Sequence, residues 1–296
     1  MNRQPGNQKK RTIRDWWADN PMTYAATHGQ TRYRAQNGAI YQVDLGSRAF
    51  FEAADATFYA WNRPLHTPEG RFARIFDYAR YRGRPVLEVG CGMGCMAMNW
   101  AQQGARVTAV DLNPVAVAQT RQRFALYGLA GNICEADAEA LPFADGAFDY
   151  VYSWGVLHHT PGIRQAIEEL RRVLRPGGAV GVMLYHRHSL RHRYVIQYLE
   201  GYLNMESVFL DSLGLASRYT DGMQQEGNPH TWPVTKREVT DDLFARFRNV
   251  RVKVLGTDVP AVLNLMAPQL GVLLPRPLLK ALARRWGWSL WITAER

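Results

Sequence analysis

Residues 86–114 read VLEVGCGMGCMAMNWAQQGARVTAVDLNP. A short apolar run ends in three glycines at alternate positions, Gly90, Gly92 and Gly94, and a second apolar run ends on Asp111. In a strand-turn-helix unit, glycine lets the backbone turn sharply and approach a ligand where a side chain would intrude. An acidic residue about 20 positions further on falls at the end of the next strand, where a carboxylate can accept hydrogen bonds from both hydroxyls of a ribose. The pattern predicts a nucleoside site. A dinucleotide fingerprint would read G-x-G-x-x-G, whereas this loop reads G-x-G-x-G, with Cys95 after the third glycine and Glu88 just before the first. A second negative charge so close suits a ligand carrying an ammonium and a sulfonium better than a pyrophosphate.

Working outward, β-rich runs at 86–89, 106–110, 132–135, 148–153 and 179–185 alternate with helical runs at 93–103, 114–127 and 162–174. Such alternation specifies parallel strands joined by crossovers, with helices on both faces. Two further strand signals, near 249–256 and 288–295, bring the total to seven. The fold class expected is therefore α/β, a Rossmann-like doubly wound, mostly parallel sheet. Residues 1–14 are polar and basic and read as a flexible tail. Residues 15–84 form an aromatic-rich preface with helices expected over 47–61 and 67–83, the latter with Thr67 as N-cap, Pro68 in the first turn and Gly83 as the stop. The core is expected over 85–186, an inserted cap over 187–240, and a segment completing the sheet over 241–296, including an amphipathic helix at 277–286.

The chain has 296 residues and 47% hydrophobic content, enough for a sizeable core. Its net charge of +10 comes from scattered arginines rather than one basic stripe, which argues against a nucleic-acid footprint. Three cysteines, Cys91, Cys95 and Cys134, make no disulfide framework, and no second Cys/His pair completes a zinc site, so no metal is expected. A cytoplasmic setting is expected, since there is neither an export signal nor an apolar run long enough to span a membrane.

Four ordered blocks, VLEVGCGMG, VTAVDLNP, EADAEALPFADGAFDYVYSWGVLHH and ELRRVLRPGGAVGVM, make residues 84–186 resemble the class I S-adenosylmethionine-dependent methyltransferases, in particular bacterial enzymes acting on small molecules, the quinone-ring methyltransferases among them. The resemblance implies S-adenosylmethionine as cofactor. Backbone from Gly90 through Cys91 and Gly92 to Gly94 would hold its methionine part, with Glu88 shaping the loop. Asp111 would bind the ribose and Leu112 lie against the adenine, Asp137 and the Ala138 amide would read the adenine edge, and Ser153 and Trp154 would line the methyl-donor side.

Methyl transfer from a sulfonium is an in-line displacement that needs alignment and exclusion of water more than a dedicated catalyst. If the acceptor must lose a proton, a general base helps. Candidates are His158 and His159 in GVLHHTP and Tyr185, His186 and His188 in LYHRHS; each also has a plain reading as a loop residue bonded to backbone. Acceptor contacts are expected from Tyr24 and Trp61 in the preface, beside Trp16, Trp17 and Tyr59, and from His230 and Trp232 in the cap. A small-molecule acceptor is favoured over a nucleic acid, because Ser153-Trp154-Gly155-Val156 stands where base-amine methyltransferases place Asn/Asp-Pro-Pro-aromatic. A protein that binds the cofactor without turnover and a nicotinamide-dependent enzyme stay open as alternatives.

Overall fold

The computed structural model of the protein describes residues 5–20, 32–34, 40–42, 44, 46–221 and 227–296. Its strands are β1 (Arg32–Arg34), β2 (Ile40–Gln42), β3 (Pro85–Val89), β4 (Arg106–Asp111), β5 (Asn132–Glu135), β6 (Phe148–Trp154), β7 (Leu174–Tyr185), β8 (Arg248–Leu255) and β9 (Ser289–Glu295). The first two form a small antiparallel pair. The other seven make one sheet in the order β5-β4-β3-β6-β7-β9-β8, parallel from β5 to β7, with β9 antiparallel to both of its neighbours.

The helices are α1 (Pro5–Asp19), α2 (Arg48–Trp61), α3 (Cys95–Gln102), α4 (Pro114–Leu126), α5 (Ile163–Val173), α6 (Ser212–Tyr219), the single turn α7 (Lys236–Glu238), α8 (Val259–Met266), α9 (Leu270–Leu273) and α10 (Arg276–Trp286). A π-type helix spans Arg191–Leu203. No helix among the described residues is long and apolar enough to cross a membrane.

The central strands are buried on both faces, so successive residues feed two separate cores. Val86, Tyr150 and Tyr152 pack with Trp100 of α3 and the preface aromatics Phe72, Phe76 and Tyr78. Leu87, Val89 and Val151 pack with Ile163, Ile167 and Leu170, which recur at helical spacing along one face of α5. β3 pairs with β4 on one side and β6 on the other, so the chain order reverses there and leaves a crevice beyond the carboxyl ends of the strands.

Two expectations fail ahead of the core. Residues 67–83 do not form a helix: Thr67 and Gly70 exchange backbone hydrogen bonds in a tight turn, Phe72 takes φ +59°, and only Ala79–Tyr81 makes a 3-10 turn. Phe72, Phe76, Tyr78 and Tyr81 are all buried, and no single helical face holds both Phe76 and Tyr78, so core packing overrides the cap signals. Nor are residues 5–14 a free tail. They belong to α1, whose Ile13 is buried and whose Lys10 is ion-paired to the body.

β7 starts at Leu174 rather than near 179, because Leu174 pairs with Phe148 ahead of an irregularity in register. The stretch expected as a cap holds the π-type helix and α6, and returns to the core where Trp232 N donates to the His158 carbonyl at 2.7 Å.

Candidate functional site

The loop after β3 is shaped from both sides. Gly90 N and Cys91 N both donate to the Val110 carbonyl, at 2.7 and 3.0 Å, which turns the chain across the end of β4. Gly90, Gly92 and Gly94 all have left-handed φ, +82°, +52° and +74°. A methyl added at Gly90 would lie 2.3 Å from Val156, and one at Gly94 2.7 Å from Thr120, whereas at Gly92 it would meet nothing within 4 Å. Gly90 and Gly94 are therefore required by packing, while Gly92 fronts open space.

Asp111 ends β4 with its carboxylate held by the Gly92 amide at 2.9 Å and the Asn113 amide at 2.9 Å. Burial raises its pKa against the pull of these amides. After β5, Asp137 Oδ1 accepts from the Glu139 amide at 2.8 Å, and Asp137 Oδ2 accepts from Lys10 Nζ at 2.8 Å. Asn113 Nδ2 donates to the Trp17 carbonyl at 2.7 Å, so α1 crosses the mouth of the crevice.

These groups line one cavity of about 360 Å³. Of the residues expected at the cofactor, Glu88, Gly90, Cys91, Gly92, Asp111 and Leu112 line it, as do Asp137, Ala138 and Trp154. Gly94 and Ser153 stand outside its lining: Ser153 is fully buried and its Oγ donates to the Val89 carbonyl at 2.8 Å, tying β6 to β3.

Trp61, His159 and Tyr185 from the expected set also line the cavity. Tyr185 Oη donates to Asp221 Oδ2 at 2.6 Å, and His159 Nε2 lies 3.2 Å from the same oxygen. His159 Nδ1 meets the His230 carbonyl at 2.9 Å and Thr231 Oγ1 at 3.1 Å.

His158 is fully buried behind Tyr185, its ring centroid 3.8 Å away, and burial keeps its pKa well below the usual histidine value. His186 turns to the Gly287 carbonyl at 3.1 Å, with its pKa lowered by burial to about 4, and does not reach the cavity. His188 is exposed. His230 and Trp232 also lie off the cavity: the His230 pKa is lowered by burial to about 4, and Trp232 packs against the α5-side core and the Arg164 guanidinium. Tyr59 belongs to the core, bonded to Asn99, and Tyr24 lies outside the described residues.

Trp17, expected over the pocket, lines the cavity, whereas sequence reasoning missed Lys10 and Ile13 of α1, and Asp221 and Trp288, which line it as well. The apolar spacing of Ile13 and Trp17 was a weak helical signal. Nothing around Asp221 in SRYTDGM marks it.

The residues fit the cofactor that the resemblance implies. Glu88 is 2% exposed, lines the cavity and has one carboxyl oxygen, Oε2, without a hydrogen-bond partner, as a ligand ammonium requires. Burial, with a smaller contribution from the Asp111 charge, pushes its pKa up to about 8. The space in front of Gly92 is the kind of cradle that a side chain would fill.

Comparison with known proteins agrees. Residues 86–178 match the methyltransferase domain family. The malonyl-[acyl-carrier protein] O-methyltransferase of Pseudescherichia vulneris is 41% identical over 99 residues, covering 33% of this chain and 38% of that protein. This chain spans less than two fifths of the length of the first curated relatives it matches. Among solved structures, a SAM-dependent methyltransferase from Methanosarcina mazei is similar at a TM-score of 0.52 and 20% identity, over 74% of this chain and 95% of that one. The [4+2]-cyclase SpnF is similar at 0.54 and 17%, over 97% of this chain and 96% of that one. At such identities the likeness concerns the fold alone, and a fold shared with a cyclase leaves chemistry to be argued from the site. Residues 86–178 therefore form a methyltransferase domain, in a chain that shares its fold with a SAM-dependent methyltransferase.

Proposed function

We propose that the whole chain transfers a methyl group from S-adenosylmethionine to a small, largely apolar acceptor and releases S-adenosylhomocysteine. The observation that carries this reading is that one cavity is lined both by Glu88, Gly92, Asp111 and Asp137 and by Trp154, Tyr185, Trp288, His159 and Asp221. The cofactor supplies a methyl on an already activated sulfonium. Asp111 would accept the ribose hydroxyls, the Ala138 amide and Asp137 would meet the adenine edge beside Leu112, and Glu88 would face the ammonium.

Around the acceptor, Trp154 and Trp288 offer apolar walls, while Ile13 and Trp17 of α1 keep water from the reacting atoms. The sulfur–carbon bond breaks as the bond to the acceptor nucleophile forms, and a hydroxyl or enol acceptor must give up one proton. Of the candidate bases, His159 and Tyr185 line the cavity and converge on Asp221. The acceptor's proton would pass to the Tyr185 oxygen as the Tyr185 hydroxyl hydrogen passes to the Asp221 carboxylate, which ends protonated. The handful of polar groups among aromatic walls favours a small molecule over a nucleic acid.

Calorimetry with S-adenosylhomocysteine, followed by mass-spectrometric detection of labelled methyl on a panel of phenols, enols and activated carbon acids, tests the proposal. Tight product binding and a mass gain of one methyl are expected. No heat with S-adenosylhomocysteine, together with tight binding of a nicotinamide dinucleotide, would overturn the reading.

A further inference from the structure

We propose that His158, His159 and Asp221 bind one first-row divalent cation beside the cavity. The ligand atoms of these three side chains lie within 4.8 Å of one another, the one such group of three among the described residues. A tetrahedral ion with bonds of about 2.1 Å holds its ligands roughly 3.4 Å apart, so side-chain rotations of an ångström or so close the set.

Two unsatisfied contacts point to a cation. His158 is 0% exposed, yet neither ring nitrogen has a hydrogen-bond partner, a desolvation cost that native interiors rarely leave uncompensated. His159 Nδ1 faces a backbone carbonyl, which only accepts, so Nδ1 carries the hydrogen. In the neutral ring Nε2 is then a lone pair, and it stands 3.2 Å from the Asp221 carboxylate. A second proton on His159 would relieve that one contact and leave His158 orphaned. A shared cation answers both.

The surroundings are those of a metal site. A ligating histidine almost always donates its other N–H to a carbonyl or carboxylate, as His159 does to His230 O, and ligating carboxylates are themselves hydrogen-bonded, as Asp221 is by Tyr185. His159 and Asp221 line the cavity, which leaves the remaining coordination position facing the acceptor. Two imidazoles and one carboxylate suit zinc, cobalt, iron or manganese rather than the all-oxygen sets of magnesium and calcium. The sequence hides the set because two ligands are adjacent and the third is far along the chain. If the methyl-transfer reading above holds, a Lewis acid here eases loss of the acceptor's proton; the binding itself does not depend on that reading.

The test titrates the chelator-treated full chain with Co²⁺ and Zn²⁺, without cofactor or acceptor. One equivalent of Co²⁺ is expected, with the visible bands of nitrogen and oxygen ligands and none of the near-ultraviolet charge transfer that would betray a cysteine. Affinity should fall at least ~100-fold in Asp221→Asn and in His158→Gln, beyond what loss of a supporting partner costs, and stay unchanged in His188→Ala. Absence of stoichiometric Co²⁺ binding by the wild-type chain, a thiolate spectrum, or equal affinity in folded variants overturns the proposal. The wild-type spectrum decides even if a variant misfolds. A chain that binds S-adenosylhomocysteine but no metal sinks this inference alone, and one that binds metal but no S-adenosylhomocysteine sinks the functional reading instead.

Discussion

Lys10 Nζ stands 2.8 Å from Asp137 Oδ2 and 2.6 Å from Glu139 Oε2, which fastens α1 to the cavity wall that follows β5. Burial lowers the Lys10 pKa, and the two carboxylates more than reverse this, leaving it raised. The attachment is therefore complete below about pH 10.5 and is lost as pH rises through the folded value. A pair of this partial exposure contributes about 1 kcal/mol or less to global stability. Lys10→Ala should thus leave the unfolding midpoint nearly unchanged while amide protection across residues 8–20 falls and the KM for S-adenosylmethionine rises several-fold. Unaltered hydrogen exchange in α1 would show that Lys10 does not hold it.

The loop glycines separate packing from ligand approach. Gly90→Ala places a methyl against Val156 at a positive φ and should cost about 2–5 kcal/mol in urea unfolding. Gly92→Ala meets no protein atom and should cost only ~1 kcal/mol, yet weaken S-adenosylhomocysteine at least ~10-fold in calorimetry. Wild-type affinity in Gly92→Ala would remove the ligand from that face of the loop.

Glu88, with its pKa pushed up by burial to about 8, is mostly protonated at neutral pH. A folded value above the unfolded one means that its contribution to stability is full below pH 4.5 and lost as pH rises to about 8. Docking an ammonium beside it favours the carboxylate, so ligand binding at pH 7 should release close to one proton, read from the dependence of calorimetric enthalpy on buffer ionisation. In Glu88→Gln the released proton should vanish, and the apo protein should no longer lose stability between those two pH values.

Asp55 and Arg123 form a bidentate pair with contacts of 2.9 to 3.0 Å that joins α2 to α4, and the Arg123 side chain is 0% exposed. Asp55→Asn leaves a buried guanidinium without its counter-charge and should cost about 3–5 kcal/mol by chemical denaturation. The double variant Asp55→Leu/Arg123→Met should lose less than the sum of the single changes. Additive losses would mean that the pair is not coupled.

Legibility followed the range of the physics involved. From Val86 to Tyr185 the strands and helices were readable, apart from the early start of β7, because their signals are local: apolar runs bounded by glycine for β3 and β4, Pro114 opening α4, and a helical stripe from Ile163 to Leu170. The preface was not, since the packing of Phe72, Phe76, Tyr78 and Tyr81 against Trp100 and Tyr150 depends on residues that only the fold brings near. Among the site residues, Asp111 and Asp137 announced themselves at strand ends. Ser153 and His186, equally well placed along the chain, face the interior or the Gly287 carbonyl instead.

Spacing and residue type alone determined a doubly wound sheet and the glycine loop and strand-end carboxylates that line its crevice, because strand periodicity, glycine torsions and a carboxylate at a strand terminus act over a few residues. Only the tertiary structure decided the rest of the cavity lining, where α1 closes over the crevice and Asp221 arrives beside His159 and Tyr185, because those contacts are set by which distant segments the cores bring together.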